Sequence, residues 1–459
     1  MTNSAIFVTI TILALAAFAF GRQRSLTIAS GNIARLHSLP RHHGYFAASC
    51  AMIPALAIFT IWTIFGKDIL EGLMIAGLPE EMAAQYREQA ALVLNRIRLV
   101  VENSTTNEQD INIISAANHF KELYRYGIWA SFTLSIASGL IGLLVALNKT
   151  QPDFRARNHF EKILSIILIA SSTIAIIATL GIVLSLLFES LRFFNEVSII
   201  DFVFGTKWSP QTALRADQVG SSGAFGAVPL FAGTLLISFL AMLIAGPIGL
   251  FSAIYLTQYA SRPVRKFGKP LLEILAGVPT VVYGFFAALT IAPLFRDTGD
   301  LLGLAISSES ALAAGFVMGI MIIPFVSSLS DDAITAVPRS LKDGSLALGA
   351  TKSETIIKVI IPAALPGIVG AFLLAISRAV GETMIVVMAA GMQPNLTANP
   401  FEAVTTVTVQ IVALLTGDQE FDSAKTLSAF ALGLALFITT MLLNFVALRL
   451  VRKYREAYE

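Results

Sequence analysis

Nine stretches of this chain are apolar enough, and long enough, to cross a lipid bilayer, and they fix most of what it can fold into. The hydrocarbon layer is about 30 Å thick, so a helix needs roughly 20 apolar residues to span it. The runs are about 5–21, 45–66, 127–147, 163–188, 229–256, 269–296, 311–329, 366–391 and 427–450. Backbone inside hydrocarbon must satisfy its own N–H and C=O groups, which favours helices. The expected fold is therefore an all-α integral membrane protein with nine transmembrane helices. Composition agrees, since 14% of the 459 residues are charged, against about a quarter in soluble domains. The first run is marginal in length, and the sixth contains Pro279 and Pro293, which kink or break helices.

Lysine and arginine orient the spans. One set of alternate loops (22–44, 148–162, 257–269, 330–365 and the tail from Arg449) holds twenty of them, and the other set holds eleven. The basic side faces the cytoplasm. This places the C terminus and the 330–365 loop in the cytoplasm and, with nine spans, the N terminus outside. A cleaved signal peptide is the rival reading of 5–21. It requires a basic n-region, whereas the first basic residue is Arg22, so an uncleaved anchor is expected.

The 67–126 loop on the external side holds nine acidic residues. Its Glu80–Glu102 stretch reads as an amphipathic helix carrying Leu92, Leu94, Ile97, Leu99 and Val100. Asn103-Ser-Thr fits a glycosylation sequon, a pattern that often arises by chance. The second external segment ends in the glycine-rich 220–229 stretch, read as a loop entering the next span and not as a phosphate cradle. The net charge of +2 gives no argument for nucleic acid. The single cysteine, Cys50, excludes a disulfide framework. His37, His42 and His43 share one basic loop and read as solvated, not as metal ligands. No metal site or bound cofactor is expected.

One polar stretch interrupts the apolar pattern, from Pro338 to Pro362. It reads as two short helices joined at a glycine. Pro338 suits a first turn, and Leu341 and Leu348 give that helix one apolar side. Gly349 can adopt the left-handed conformation that ends it. Thr351 and Glu354 form a T-x-x-E capping box for the second helix, which Pro362 closes. Such a hairpin is suited to the groove of another protein.

Of the 32 lysines and arginines, Arg378 alone sits deep in an expected span, with Glu382 four residues later. On one helix that spacing puts both charges on one face, where they can pair. Charges at this depth belong in a bundle interior or a wet pathway. Two readings stay open: a structural pair that locks packing, or an anion path in which Arg378 attracts and Glu382 keeps the attraction weak enough for release. Ser377 and Thr383 add hydroxyls nearby. Thr280 and Tyr283 are secondary candidates, because Pro279 frees a carbonyl that can line a cavity, although a packed kink accounts for the same residues.

No phosphate-binding loop, nucleophile elbow or zinc helix is found, so no catalytic residue is assigned. The intramembrane acids are too few for an obvious proton relay, so energy for uphill transport is expected from a partner.

Asp343-Gly344-Ser345, three residues, Gly349, nine residues, then Val359-x-Ile361-Pro362 resembles the cytoplasmic loop of bacterial ABC importer permeases. That loop usually reads Glu-Ala-Ala, then Gly, then Ile-x-Leu-Pro at the same spacing. Asp for Glu and Gly-Ser for Ala-Ala are departures. Phe204–Pro210, Phe225–Leu235, Leu275–Gly284 and Arg378–Met384 are similar to the phosphate permeases of the PstC type.

The resemblance covers roughly 163–450 and implies a six-span permease domain over 163–459, with an ATPase-docking loop at 330–365. Residues 1–162, with three spans, then form an N-terminal extension. It implies a non-catalytic subunit of an ATP-driven importer in the bacterial inner membrane. Its partners would be two cytoplasmic ATPase subunits, a second permease subunit and a periplasmic phosphate-binding protein. Asp343, Gly344, Ser345, Gly349, Ile361 and Pro362 would dock the ATPase, and Arg378, Glu382 and Thr383 would line the phosphate path. A permease for sulfate or molybdate, or a gradient-driven secondary carrier, remains the alternative. An integral membrane enzyme is the weakest rival.

Overall fold

The computed structural model describes residues 3–30, 32–76, 97, 100, 111–211, 223–416 and 423–456. Among them, nine helices are long and apolar enough to cross a membrane: Asn3–Ile28, Pro40–Ile75, Ile113–Lys149, Ala156–Glu196, Val228–Tyr259, Thr280–Leu302, Ala311–Thr335, Lys352–Val380 and Ala424–Val446. The one extended pairing in the described residues is two residues long, Trp208–Ser209 against Ala224–Phe225. The chain is thus all-helical and multi-pass. It divides into two compact units, Met1–Ile177 and Ala178–Glu459.

The first unit is built on α1 (Asn3–Ile28), α2 (Pro40–Ala76) and α3 (Ile111–Lys149). The marginal first run is a full 26-residue helix. Lipid is as apolar as leucine, so helices in a bilayer gain by close van der Waals contact between small residues. Ala17, Ala47, Ala51 and Ala146 accordingly meet in the core of this unit. A Cβ at Gly142 would collide with the backbone of Cys50, so glycine is required where α3 crosses α2.

The solvated-loop reading of the histidines fails at His43, which is 1% exposed within α2 and lies against the Phe154 ring. Helix α2 begins at Pro40, ahead of the apolar run, and carries that ring inside. No group of three metal-ligating side chains occurs among the described residues. The expected 80–102 helix lies outside the described residues except Ile97 and Val100, which pack with Met74, Ile113 and Ala117. The Asn103 sequon and residues 220–222 are also outside them. Helix α4 (Ala156–Glu196) begins in the first unit and ends in the second.

In the second unit a short α5 (Ile199–Phe204) leads to α6 (Val228–Ile254). There follow α7 (Arg262–Ala276), α8 (Thr280–Phe286), α9 (Ala292–Leu302) and α10 (Ala311–Thr335). The core forms around α6 and α10, where Ile237, Ala241 and Ala245 meet Ala314, Met318 and Ile322. The expected sixth span, 269–296, starts too early. The chain breaks at Gly277–Pro279, and the crossing segment is Thr280–Leu302. Residues 262–276 are a separate amphipathic helix, with Val264, Phe267, Leu271 and Ile274 exposed on one side.

The unit continues with α11 (Arg339–Ala347), α12 (Lys352–Thr355), α13 (Ile361–Val380), α14 (Met384–Ala389), α15 (Val407–Leu415) and α16 (Ala424–Glu456). Pro362 does not close a helix as the sequence suggested. A π turn at Ile356–Ile360 joins α12 to α13, with the Ile361 N–H reaching the Ile356 carbonyl. Proline lacks a donor and its ring crowds the preceding turn. A widened turn ahead of it accommodates both defects. The same device, Ala287–Ile291, precedes Pro293. The eighth crossing is therefore Lys352–Val380, not 366–391.

Candidate functional site

Two places in the second unit gather the residues singled out by sequence. The first is the polar hairpin. Pro338 caps α11 at its start, and Gly349 turns at φ +85° with open space where a Cβ would stand. The capping box forms: Glu354 N–H donates to the Thr351 hydroxyl, and Thr351 N–H donates to Glu354 Oε2 at 2.9 Å. The Ser345 and Thr355 hydroxyls, 3.0 Å apart, tie the two arms together. Asp343 and Gly344 are exposed, and Ile361 and Pro362 are half-buried at the root of α13. Leu341, Leu346 and Leu348 are 47%, 41% and 91% exposed, so the hairpin offers an exposed apolar surface.

A cluster missed by sequence reasoning anchors this hairpin's base. Asp331, buried near the end of α10, accepts from Thr257 Oγ1 at 2.6 Å, Arg265 Nη2 at 3.2 Å and Lys269 Nζ at 2.8 Å. Lys269 reaches Asp332 as well. The hydrogen bond to Asp331 raises the pKa of the Lys269 ammonium above its ordinary value. The signal was present as Asp331-Asp332 at the basic end of an apolar run, with four cations at 262–269 on the same side.

The second place is the broken end of the eighth span. Helix α13 stops at Val380, and Gly381 and Glu382 turn the chain before α14 begins. Arg378 and Glu382 are therefore not on one helix, and the intrahelical pair does not form. Glu382 instead caps α14, its Oε1 accepting from the N–H of Met384 at 3.1 Å and of Ile385 at 3.5 Å. It is 8% exposed. Its carbonyl accepts from the Thr408 hydroxyl at 2.9 Å. Thr383 is half-buried and its carbonyl accepts from Val387 N–H. Arg378 is exposed, and among the described residues its side chain has no hydrogen-bonding or ionic partner. Arg378 thus stands two residues from the end of the crossing helix, and an unpaired charge there is stabilised by water, a bound anion or another protein, not by lipid tails.

Gln410 was also missed. Its side chain accepts from Trp208 Nε1 at 3.0 Å and donates to the Met392 carbonyl at 3.1 Å, fixing the irregular chain between α14 and α15. The clue was the polar run Thr405-Thr406-x-Thr408-x-Gln410 in apolar surroundings. Tyr283 resolves its own ambiguity: the hydroxyl donates to the Leu275 carbonyl at 2.9 Å, closing the Pro279 break by packing. Thr280 begins α8 beyond that break.

Comparison with known proteins places these features. Residues 245–456 match the family described as the inner membrane component of binding-protein-dependent transport systems, and residues 7–178 match one described as a phosphate ATP-binding cassette transporter. A probable ABC transporter permease, YqgH, of Bacillus subtilis is 34% identical over 60% of this chain and 86% of its own length. The phosphate transport system permease PstC of Xylella fastidiosa is 30% identical over 66% of this chain and 93% of its own. That of Mesorhizobium japonicum is 31% identical over 61% and 86%.

The chain belongs to the permeases of binding-protein-dependent ABC transporters, a non-catalytic membrane component that works with an ATPase and a binding protein. Within that class it falls in the PstC-like phosphate transporter permease family, with an additional N-terminal region.

Proposed function

We propose that this chain is one of two permease subunits that carry inorganic phosphate from the periplasm to the cytoplasm, powered by a pair of ATPase subunits. The observation that carries this reading is Arg378, an exposed arginine without a partner at the broken end of a membrane span. Its planar fork of donors matches phosphate oxygens. Interrupted helices with irregular backbone are tolerated at membrane depth where they border a cavity or protein. Thr383 and the capped Glu382 stand at the same break.

The hairpin is the ATPase dock in this reading, with Asp343, Gly344 and Ser345 on its first arm, Gly349 at its turn, and Ile361 and Pro362 at its root. Its leucines stay exposed among the described residues, as a docking surface requires. The excess of lysine and arginine on that side supports a cytoplasmic hairpin and C terminus, with the N terminus outside. A periplasmic phosphate-binding protein delivers the anion on the opposite face. Residues 1–162 form an extension to the permease domain 163–459.

The test is labelled phosphate uptake by the assembled transporter carrying Arg378→Ala. Uptake is lost while the subunits still co-purify. Normal uptake in that variant removes Arg378 from the path.

A further inference from the structure

We propose that the cleft between the hairpin and the adjoining ends of α6, α7 and α10 is a binding site for a tetrahedral phosphate-class oxyanion. The cleft encloses about 320 Å3, and Gln258, Arg265, Thr335, Arg339 and Lys342 line it. Three cations and one carboxylate, Asp343, share this lining. Their positions are set by other contacts. Lys342 Nζ is steered by Gln258 Oε1 at 2.9 Å. Arg265 commits Nη2 to Asp331 and Thr335, leaving its Nε and Nη1 donors unspent among the described residues. Arg339 has no side-chain partner among the described residues.

Neighbouring cations with unspent donors repel one another, and an anion bound between them relieves that repulsion. A guanidinium pair with an ammonium suits several oxygens on one centre better than it suits a flat or monatomic anion. The four elements that meet here give the site a consequence. A bound oxyanion links α11, the hairpin's first arm, to Arg265 on α7 and to the chain leaving α6. Occupancy therefore stiffens the joint through which a docked ATPase would act, a step that rests on the docking reading above.

Two sources share this chemistry. One is free phosphate on the hairpin's side of the membrane, the transported ion itself. The other is the phosphate of an anionic lipid headgroup. The exposed apolar face of α7, Val264, Phe267, Leu271 and Ile274, suits a helix lying in the lipid interface.

The test uses the full chain in lipid nanodiscs, with Cys50→Ala removing its one native thiol and Thr335→Cys placing a reporter in the cleft. Maleimide labelling is followed as inorganic phosphate replaces chloride at constant ionic strength. In phosphatidylcholine discs, free phosphate is expected to slow labelling saturably, by about threefold or more in the millimolar range. If the lipid is the ligand, labelling is slow without phosphate once phosphatidylglycerol is included. In either case Arg339→Gln/Lys342→Gln removes the protection and Arg378→Ala retains it. Labelling indifferent to both ligands, or protection surviving the double variant, overturns the proposal. A thermal-shift titration of the unmodified chain, with and without Arg339→Gln/Lys342→Gln, gives the same answer without the reporter. Both readouts are independent of ATPase docking, which Gly349→Glu co-purification tests separately.

Discussion

The Thr408 hydroxyl donates to the Glu382 carbonyl at 2.9 Å, bridging 26 residues of chain. Where α13 ends, the backbone of Gly381 and Glu382 leaves the helical pattern at the end of a crossing helix. Thr408, on α15, supplies one of the donors the break needs. Gln410, two residues further along α15, steadies the returning chain through Met392 and Trp208. The break is thus held by α15 as well as by the helices it interrupts.

Thr408→Val keeps the shape of the side chain and removes the donor. The expected cost is about 1 kcal/mol of stability, one neutral hydrogen bond. Phosphate uptake should fall more than stability does, because the orphaned carbonyl lies beside Thr383 in the proposed path. Transport assays and thermal melts of the same preparation check this. Unchanged uptake would show that the break holds without α15.

Glu382 caps α14 and, in the proposed path, tempers Arg378, and substitution separates the two roles. Glu382→Gln retains an oxygen able to accept from Met384 and Ile385, whereas Glu382→Ala removes it. If capping alone mattered, the glutamine variant would transport normally. The proposed path predicts otherwise. The neutral residue leaves Arg378 stronger as an anion trap, so apparent affinity should rise while maximal uptake falls by about tenfold. The alanine variant should lose both uptake and about 1–2 kcal/mol of stability. Concentration-dependent uptake curves distinguish these outcomes.

The sequence made the spans visible because apolar length is a local property. The capping box and the left-handed Gly349 were legible for the same reason, since each depends on a few neighbouring residues. The charged pair misled because an (i, i+4) spacing has meaning only if the helix persists. It ends at Val380, where Gly381 follows and Glu382 finds backbone donors. Asp331 was invisible as a hub because its partners, Thr257, Arg265 and Lys269, lie 62 to 74 residues away. Pro362 misled because a proline reads as a helix end unless the preceding turn widens.

Gly349 supports a prediction about the hairpin alone. At φ +85° a side chain is strained, and Gly349→Ala should cost about 1 kcal/mol. Space is open there, so no clash adds to that cost. Gly349→Glu adds a charge to the outer turn and should abolish co-purification of the ATPase, while Gly349→Ala retains most of it. Equal ATPase recovery with the two variants would leave the turn without a docking role.

Asp331→Asn tests the anchor beneath the hairpin. The asparagine retains one acceptor oxygen, but Arg265 loses its counter-charge and Lys269 keeps only the exposed Asp332. Full burial would make this severe, yet the Arg265 and Lys269 side chains are 38% and 33% exposed and can turn to water. The expected loss is about 1–3 kcal/mol, below that of breaking a fully buried pair. Releasing α7 from α10 should also uncouple the hairpin from the spans, so that ATP hydrolysis continues while uptake drops. A double variant adding Lys269→Gln should recover part of the stability by removing a charge left with only its weaker, exposed partner Asp332, without restoring transport. Melting temperature, ATPase rate and uptake measured together on the three proteins decide it, and full coupling in Asp331→Asn would reduce the cluster to a packing feature.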